Sequence, residues 1–263
     1  MTEQTRFETL AIAVAGRIAR LTLSRPEKLN PLGAQTLGEL AEAARWLDAQ
    51  RDVRVVIVRG AGRAFSAGAD LSTFAGPQQL PPREAADLGR QMADALEEMR
   101  ALSIAAIHGW CVGGGLVLAA ACDLRIAAED ARFSIPEVDL GIPLAWGGIP
   151  RLVREIGPAL TKELVLTCRR FDAAEARAAG FLNRIVPADA LDAEVEALAR
   201  TLSEKAAIPL FATKRHVNAV TGQIVGTARS WSDADGLVTA LGDPECAEAR
   251  RRYLARTTKR RAP

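Results

Sequence analysis

Two apolar runs, Val53–Val58 and Ile104–Ile107, each lead into a stretch of small residues. The first is followed by Ala64-Phe65-Ser66-Ala67-Gly68-Ala69-Asp70-Leu71. The second is followed by Gly109-Trp110-Cys111-Val112-Gly113-Gly114-Gly115-Leu116. A continuous β-branched run such as Val53–Val58 reads as a buried strand, the kind found inside parallel sheets. Glycine and alanine at the ends of such strands leave backbone N–H groups bare. Two N–H groups aimed at one point form an oxyanion hole, where charge growing on a carbonyl oxygen is stabilised. A third segment, Phe133-Ser134-Ile135-Pro136-Glu137, adds a carboxylate able to move a proton. The three together point to chemistry beside a polarised carbonyl.

The rest of the chain fits an α/β protein. Leu10–Val14 and Ile18–Leu23 flank Ala15-Gly16-Arg17 and predict a hairpin. Helical spacing recurs over Thr36–Gln50, Arg83–Arg100 and Asp189–Lys205, and a further helix is predicted over Pro209–Val220. Leu124–Ala127 and Ala131–Phe133 read as extended. Strands alternating with helices predict right-handed βαβ units. Beyond about residue 147 the pattern becomes almost wholly helical. Asp172-Ala173-Ala174-Glu175 has the form of a capping box, with Gly180 as a stop, and Asp243-Pro244-Glu245 opens the last helix.

Composition narrows the function classes. A net charge of +2 is too small to argue for nucleic acid. The polar start Met1–Glu8 lacks a secretory pattern, and no apolar stretch reaches the ~18 residues of a membrane span. The four cysteines show no paired spacing and no histidine cluster, so they read as reduced thiols. A cytoplasmic enzyme is the expectation. Neither glycine segment is a phosphate loop, because no Gly-Lys-Ser/Thr follows and no GxGxxG is present.

In order along the chain stand Arg25-Pro26-Glu27-Lys28-Leu29-Asn30, the two glycine segments, Cys122-Asp123-Leu124, Phe133–Glu137, Gly147-Gly148, and Ala174 to Pro187. With these, nearly the whole chain resembles the crotonase superfamily, the enoyl-CoA hydratase/isomerase family. The resemblance implies an α/β spiral of ββα units over 1–195 holding an acyl-CoA site. It implies a helical C-terminal region, 196–263, that forms homotrimers often paired into hexamers. The substrate would be an acyl-CoA thioester, with coenzyme A as part of the substrate. The oxyanion-hole donors would be the N–H groups of Ala69 and Gly114, and Glu137 would be the acid/base. Coenzyme A would lie near Lys28 and the backbone of Ala67, Gly68, Asp70 and Leu71, with Gly113, Trp110 and Val117 also against the substrate. Lys214 matches a family position near the nucleotide. The loop Gly76–Pro82 and the helix after it are expected to line the acyl tunnel.

One position departs from the family pattern. Its hydratases hold a water between two glutamates, and the first of these falls on Val117 here. Valine carries no proton. A single carboxylate suffices to shuttle a proton between C2 and C4, as in the family's Δ3-Δ2 enoyl-CoA isomerases, so isomerisation leads and hydration follows. Another enolate reaction, decarboxylation or lysis of a C–C bond, and a non-catalytic acyl-CoA-binding protein are the rivals. His108 is expected to tie loops together, Asp139 to face solvent or cap a helix, and Trp110 and Trp146 to shape an acyl pocket or fill the core. The arginines from Arg250 to Arg261 read as a solvated face.

Overall fold

The computed structural model describes residues 7–71 and 80–259. Met1–Arg6, most of the Gly76–Pro82 loop, and Arg260 and Arg261 of the basic tail lie outside them. In chain order the strands are β1 (Leu10–Ala15), β2 (Ile18–Leu23), β3 (Val55–Gly60), β4 (Leu102–Ile107), β5 (Trp110–Val112), β6 (Leu124–Ala128), β7 (Arg132–Ser134), β8 (Phe171–Asp172) and β9 (Arg184–Val186). The helices are α1 (Ala34–Ala49), α2 (Pro82–Glu98), α3 (Gly114–Ala120), α4 (Gly148–Thr167), α5 (Ala173–Ala178), α6 (Leu191–Ser203), α7 (Ala207–Ile224), α8 (Asp233–Gly242) and α9 (Pro244–Lys259).

The hairpin β1–β2 is antiparallel, and from β2 onward the main sheet β1-β2-β3-β4-β6-β9 is parallel. Its central strand explains the apolar run. Val56 and Val58 enter the larger core with Leu21, Leu40, Leu96 and Phe65. Val55 and Ile57 point the other way, into a cluster with Ile104, Ile126, Leu191, Val195 and Ala199. Both faces are therefore dry, and alternation with polar residues has no place there. Helix α6 supplies the second cover and runs straight through residue 195. Its buried face thus belongs with the sheet.

Each turn of the spiral lays a short extended segment beside that of the turn before. Leu32 bridges Ala69, Ser66 bridges Cys111, and β5 pairs in parallel with β7. Strand β8 closes the small sheet antiparallel to β7. This stacking brings the three sequence segments that carry chemistry to one edge of the molecule.

Local signals behave as their chemistry dictates, with one refinement. The Asp172 carboxylate accepts the Glu175 N–H at 2.9 Å and caps α5. Glu175 does not reach back. Its carboxylate binds Arg169 at 2.5 and 2.9 Å, so only half of the capping box is made. Asp243 caps α9 through the Cys246 N–H at 2.9 Å. Strands β5 and β9 and helix α8 had no sequence signal. The strands are three residues each, and Gly236 and Gly242 dilute the helical pattern of α8.

Candidate active site

The glycine segments are joined by backbone hydrogen bonds. Phe65 and Ser66 donate to the carbonyls of His108 and Trp110 at 2.9 and 3.0 Å, and Val112 returns a bond to Ser66 at 3.0 Å. The Gly113 N–H binds the Ser134 carbonyl at 2.9 Å, tying in the strand that leads to Glu137. On the turn before, Leu32 donates to Gly68 at 2.8 Å and accepts from Asp70 at 3.2 Å. Those bonds use Gly68 and Asp70, which turns the N–H of Ala69 the other way. Among the described residues neither the Ala69 N–H nor the Gly114 N–H has an acceptor.

The two segments approach closely because Gly68 and Gly113 lack side chains. A Cβ on Gly68 would sit 2.5 Å from the Val112 carbonyl and 3.4 Å from the Gly114 nitrogen. Gly68 also has a φ of +84° and Gly113 one of +50°, backbone that side chains rarely adopt. A Cβ on Gly113 would fall on Glu137 Oε1. The carboxylate thus lies against the start of α3, next to the bare Gly114 N–H.

Asn30 fixes the loop beneath. Buried, with a φ of +53°, it donates from Nδ2 to the carbonyls of Ala61 and Ala64 at 2.8 and 2.9 Å and accepts the Arg25 N–H at 3.0 Å. Ser66 Oγ donates to the Asn30 carbonyl at 2.7 Å and accepts the Gly68 N–H at 3.1 Å. This scaffolding was invisible in the sequence beyond the motif itself. An asparagine between the two prolines Pro26 and Pro31 was its only trace.

Glu137 is 8% exposed, and its Oε2 is buried with no hydrogen-bond partner among the described residues. Burial pushes its pKa up to about 7, because the charged form loses water without gaining a counter-charge. A proton therefore sits there or leaves near neutral pH, the condition for general acid–base work. Val117, one turn into α3, is fully buried, and its Cγ2 would lie 2.9 Å from a Cβ on Gly148. It belongs to the apolar core.

The other sequence candidates sort themselves by contact. Lys28 is exposed, while Ala67, Ala69, Asp70 and Leu71 are half-buried at the same edge. Arg25 Nη1 lies 3.5 Å from Asp70 Oδ2. Trp110 is half-buried with the Arg170 guanidinium 5.0 Å above its ring, and Asp139 is exposed. His108 Nε2 hydrogen-bonds the Gly62 carbonyl at 2.9 Å and so ties two loops together.

Lys214 must be corrected. Its Nζ is buried and held by the Ala101 carbonyl at 2.9 Å and by Asp123 Oδ2 at 2.8 Å, so its charge is already paired within the fold. Asp123 in turn holds the N–H and hydroxyl of Ser103 at 2.7 and 2.9 Å. Lysine here pins α7 to the sheet. Lys214→Ala should lower stability by about 2–3 kcal/mol, since it strands a mostly buried carboxylate. Denaturant melts would measure that loss, and an unchanged KM for a coenzyme A thioester would separate it from a binding role.

The family model for enoyl-CoA hydratase/isomerase matches residues 14–254 of the chain. The chain belongs to this family. It is 39% identical over 223 residues to a probable enoyl-CoA hydratase of Mycobacterium bovis, covering 81% of this chain and 82% of that one. It is 37% identical over 210 residues to a peroxisomal Δ(3,5)-Δ(2,4)-dienoyl-CoA isomerase of Arabidopsis thaliana, covering 75% and 76%. Among solved structures, an enoyl-CoA hydratase from Mycobacterium avium subsp. paratuberculosis superposes with a TM-score of 0.85 at 27% identity, covering 94% of this chain and 99% of that one. The spiral and the helical C-terminal region described above are accordingly those of the crotonase superfamily. Hydratases and an isomerase stand side by side among these relatives, so the family alone does not choose between the two reactions.

Proposed function

We propose that this chain is an acyl-CoA enzyme that stabilises a thioester enolate at the N–H groups of Ala69 and Gly114 while Glu137 moves a proton between C2 and C4. The observation that carries the proposal is the orphaned, buried Oε2 of Glu137 beside the bare Gly114 N–H. Thioester oxygen gains charge as the α-proton leaves, and two fixed donors contribute ~3–4 kcal/mol each to lowering that barrier. Burial supplies a base that is neither permanently charged nor permanently protonated at pH 7. Coenzyme A is assigned to the edge formed by Lys28 and the Ala67–Leu71 backbone. No step requires a metal or redox cofactor.

Isomerisation is favoured over hydration because Val117 fills the place of the second carboxylate. A water added across the double bond needs orientation as well as a proton, and valine offers neither. Hydration is the second reading, supported by the names of relatives such as the Mycobacterium bovis protein. Incubation with a 3-enoyl-CoA and a 2-enoyl-CoA in heavy water, read by mass spectrometry, separates the two. Deuterium uptake with double-bond migration and no gain of water is the expected result. Clean 3-hydroxyacyl-CoA would assign hydration to Glu137 alone. Absence of exchange with both thioesters, despite binding, would move the assignment to another enolate reaction or to a binding protein.

Oligomerisation is assigned to the C-terminal helices. Val217, Val220 and Ile224 of α7 recur at helical spacing and are all at least 48% exposed, an apolar face that a second and third copy would cover.

A further inference from the structure

One side chain beside Gly114 is a large aromatic where the surrounding backbone would be cheaper to build around a small one. The Trp146 indole lies where a Cβ on Gly114 would go, with Cη2 2.9 Å and Cε3 3.0 Å from that position. On its other side it fills the Cβ position of Gly89, inside α2. The ring is therefore wedged between α2 and the start of α3. Two local costs accompany this placement. Glycine inside a helix weakens it, and Trp146 itself has a φ of +63°, which a bulky residue adopts only under constraint.

The constraint is visible. Arg151 Nη1 donates to the carbonyls of Trp146 and Gly147 at 3.3 and 3.2 Å, and Asp233 Oδ2 accepts the Gly147 N–H at 2.8 Å. A glycine at 146 with an alanine at 89 would carry neither cost. The chain keeps the tryptophan there at both. The indole is also half-buried and not sealed, and it packs in a cluster with Leu71, Ala86, Ala145 and Tyr253.

We infer that Trp146 is the specificity-determining residue for the acyl group, its indole standing beside Gly114 in the path of the acyl chain so that the site takes short chains and rejects long ones. This rests on the acyl-CoA reading above. With the thioester oxygen on the Gly114 N–H and the reacting carbons within reach of Glu137, the acyl chain must run along Gly113 and Gly114. Glu137 lies against the first of these glycines and the indole against the second. Carbons beyond those that react meet the ring.

Calorimetric binding of two saturated thioesters, butyryl-CoA and decanoyl-CoA, tests this without turnover. Wild type should bind butyryl-CoA at least about tenfold more tightly than decanoyl-CoA. Trp146→Ala should erase or reverse that preference, and Trp146→Leu, which keeps apolar packing and guards against a misfolded alanine variant, should fall between. A wild type that binds decanoyl-CoA as tightly as butyryl-CoA overturns the inference and leaves the acyl-CoA reading intact. So does an unchanged ratio in the folded variants. Failure of wild type to bind either thioester would sink the acyl-CoA reading itself, and the inference with it.

Discussion

Replacing Glu137 by glutamine is expected to lower turnover of an enoyl-CoA by about 10³-fold while leaving thioester affinity within a few-fold of wild type. Glutamine keeps the shape of the side chain beside Gly113 but cannot carry the proton. The same substitution has a stability signature that reports the dryness of the carboxyl. Glu137 has an ordinary pKa of 4.5 and is pushed by burial to about 7 in the fold. Below pH 4.5 it is neutral in both folded and unfolded chains and costs nothing. Between 4.5 and 7 the unfolded chain gives up its proton while the folded one holds it, so the folded state loses ground as pH rises. Above 7 the penalty is complete, at about 3 kcal/mol. Glu137→Gln abolishes this pH dependence. Its melting temperature relative to wild type should therefore climb between pH 4.5 and 7, as activity vanishes at every pH. A variant that stays active would remove Glu137 from the reaction, and a stability difference flat with pH would show that burial does not raise its pKa.

The wild-type rate carries the complementary signal. A base that must be ionised to take the α-proton gives a rate rising with pH through about 7. Ordinary carboxylates titrate well below that range. The opposing trends follow from one cause: the dry environment that destabilises the charged carboxylate is what makes it a useful base.

Much of this site could be read from the chain because its chemistry restricts residue type. Bare N–H groups and close backbone approach need glycine or alanine, so the segments around Gly68 and Gly113 announce themselves. The acid Glu137 follows a short strand that stacks on the second of them. What the sequence hid depends on residues far apart. The dryness of Glu137 is supplied partly by α9, whose Cys246 carbonyl lies where a Cβ on Gly141 would be, and whose Tyr253 packs on the Leu140–Ile142 cluster. No spacing rule links residues 137 and 246. Likewise the seat of Trp146 draws on Gly89, Arg151 and Asp233, from three helices. Lys214 shows the converse failure. Its position matched a nucleotide contact, but burial and a partner at Asp123 decide its role, and neither is encoded locally.

Arg151 is the most demanding residue in the fold to replace. It is fully buried, and its Nη2 binds Asp94 at 2.9 Å and Glu97 at 2.5 Å while Nη1 holds the Trp146–Gly147 turn. Arg90 also binds Asp87 and Asp94, and Arg154 also binds Glu97. Three guanidinium groups thus face three carboxylates across α2 and α4. Arg151→Met keeps most of the volume but leaves one carboxylate too many in a dry place, at an expected loss of about 3–5 kcal/mol. That loss should depend on pH with a definite sign. Burial raises the Glu97 pKa, but the charges of Arg151 and Arg154 outweigh it and hold the pKa below the usual carboxylate value. The stabilisation is therefore present above the ordinary carboxylate range and lost as pH falls through it. Arg151→Met should fall furthest below wild type near neutral pH and approach it in acid. Adding Glu97→Gln should recover part of the deficit at neutral pH, and a double-mutant cycle by denaturant melts would measure how much. If the single variant were as stable as wild type at pH 7, the network would be spectator charge. If it is destabilised but folded at low temperature, decanoyl-CoA should bind it more tightly than wild type, because the turn that aims the indole has lost its anchor.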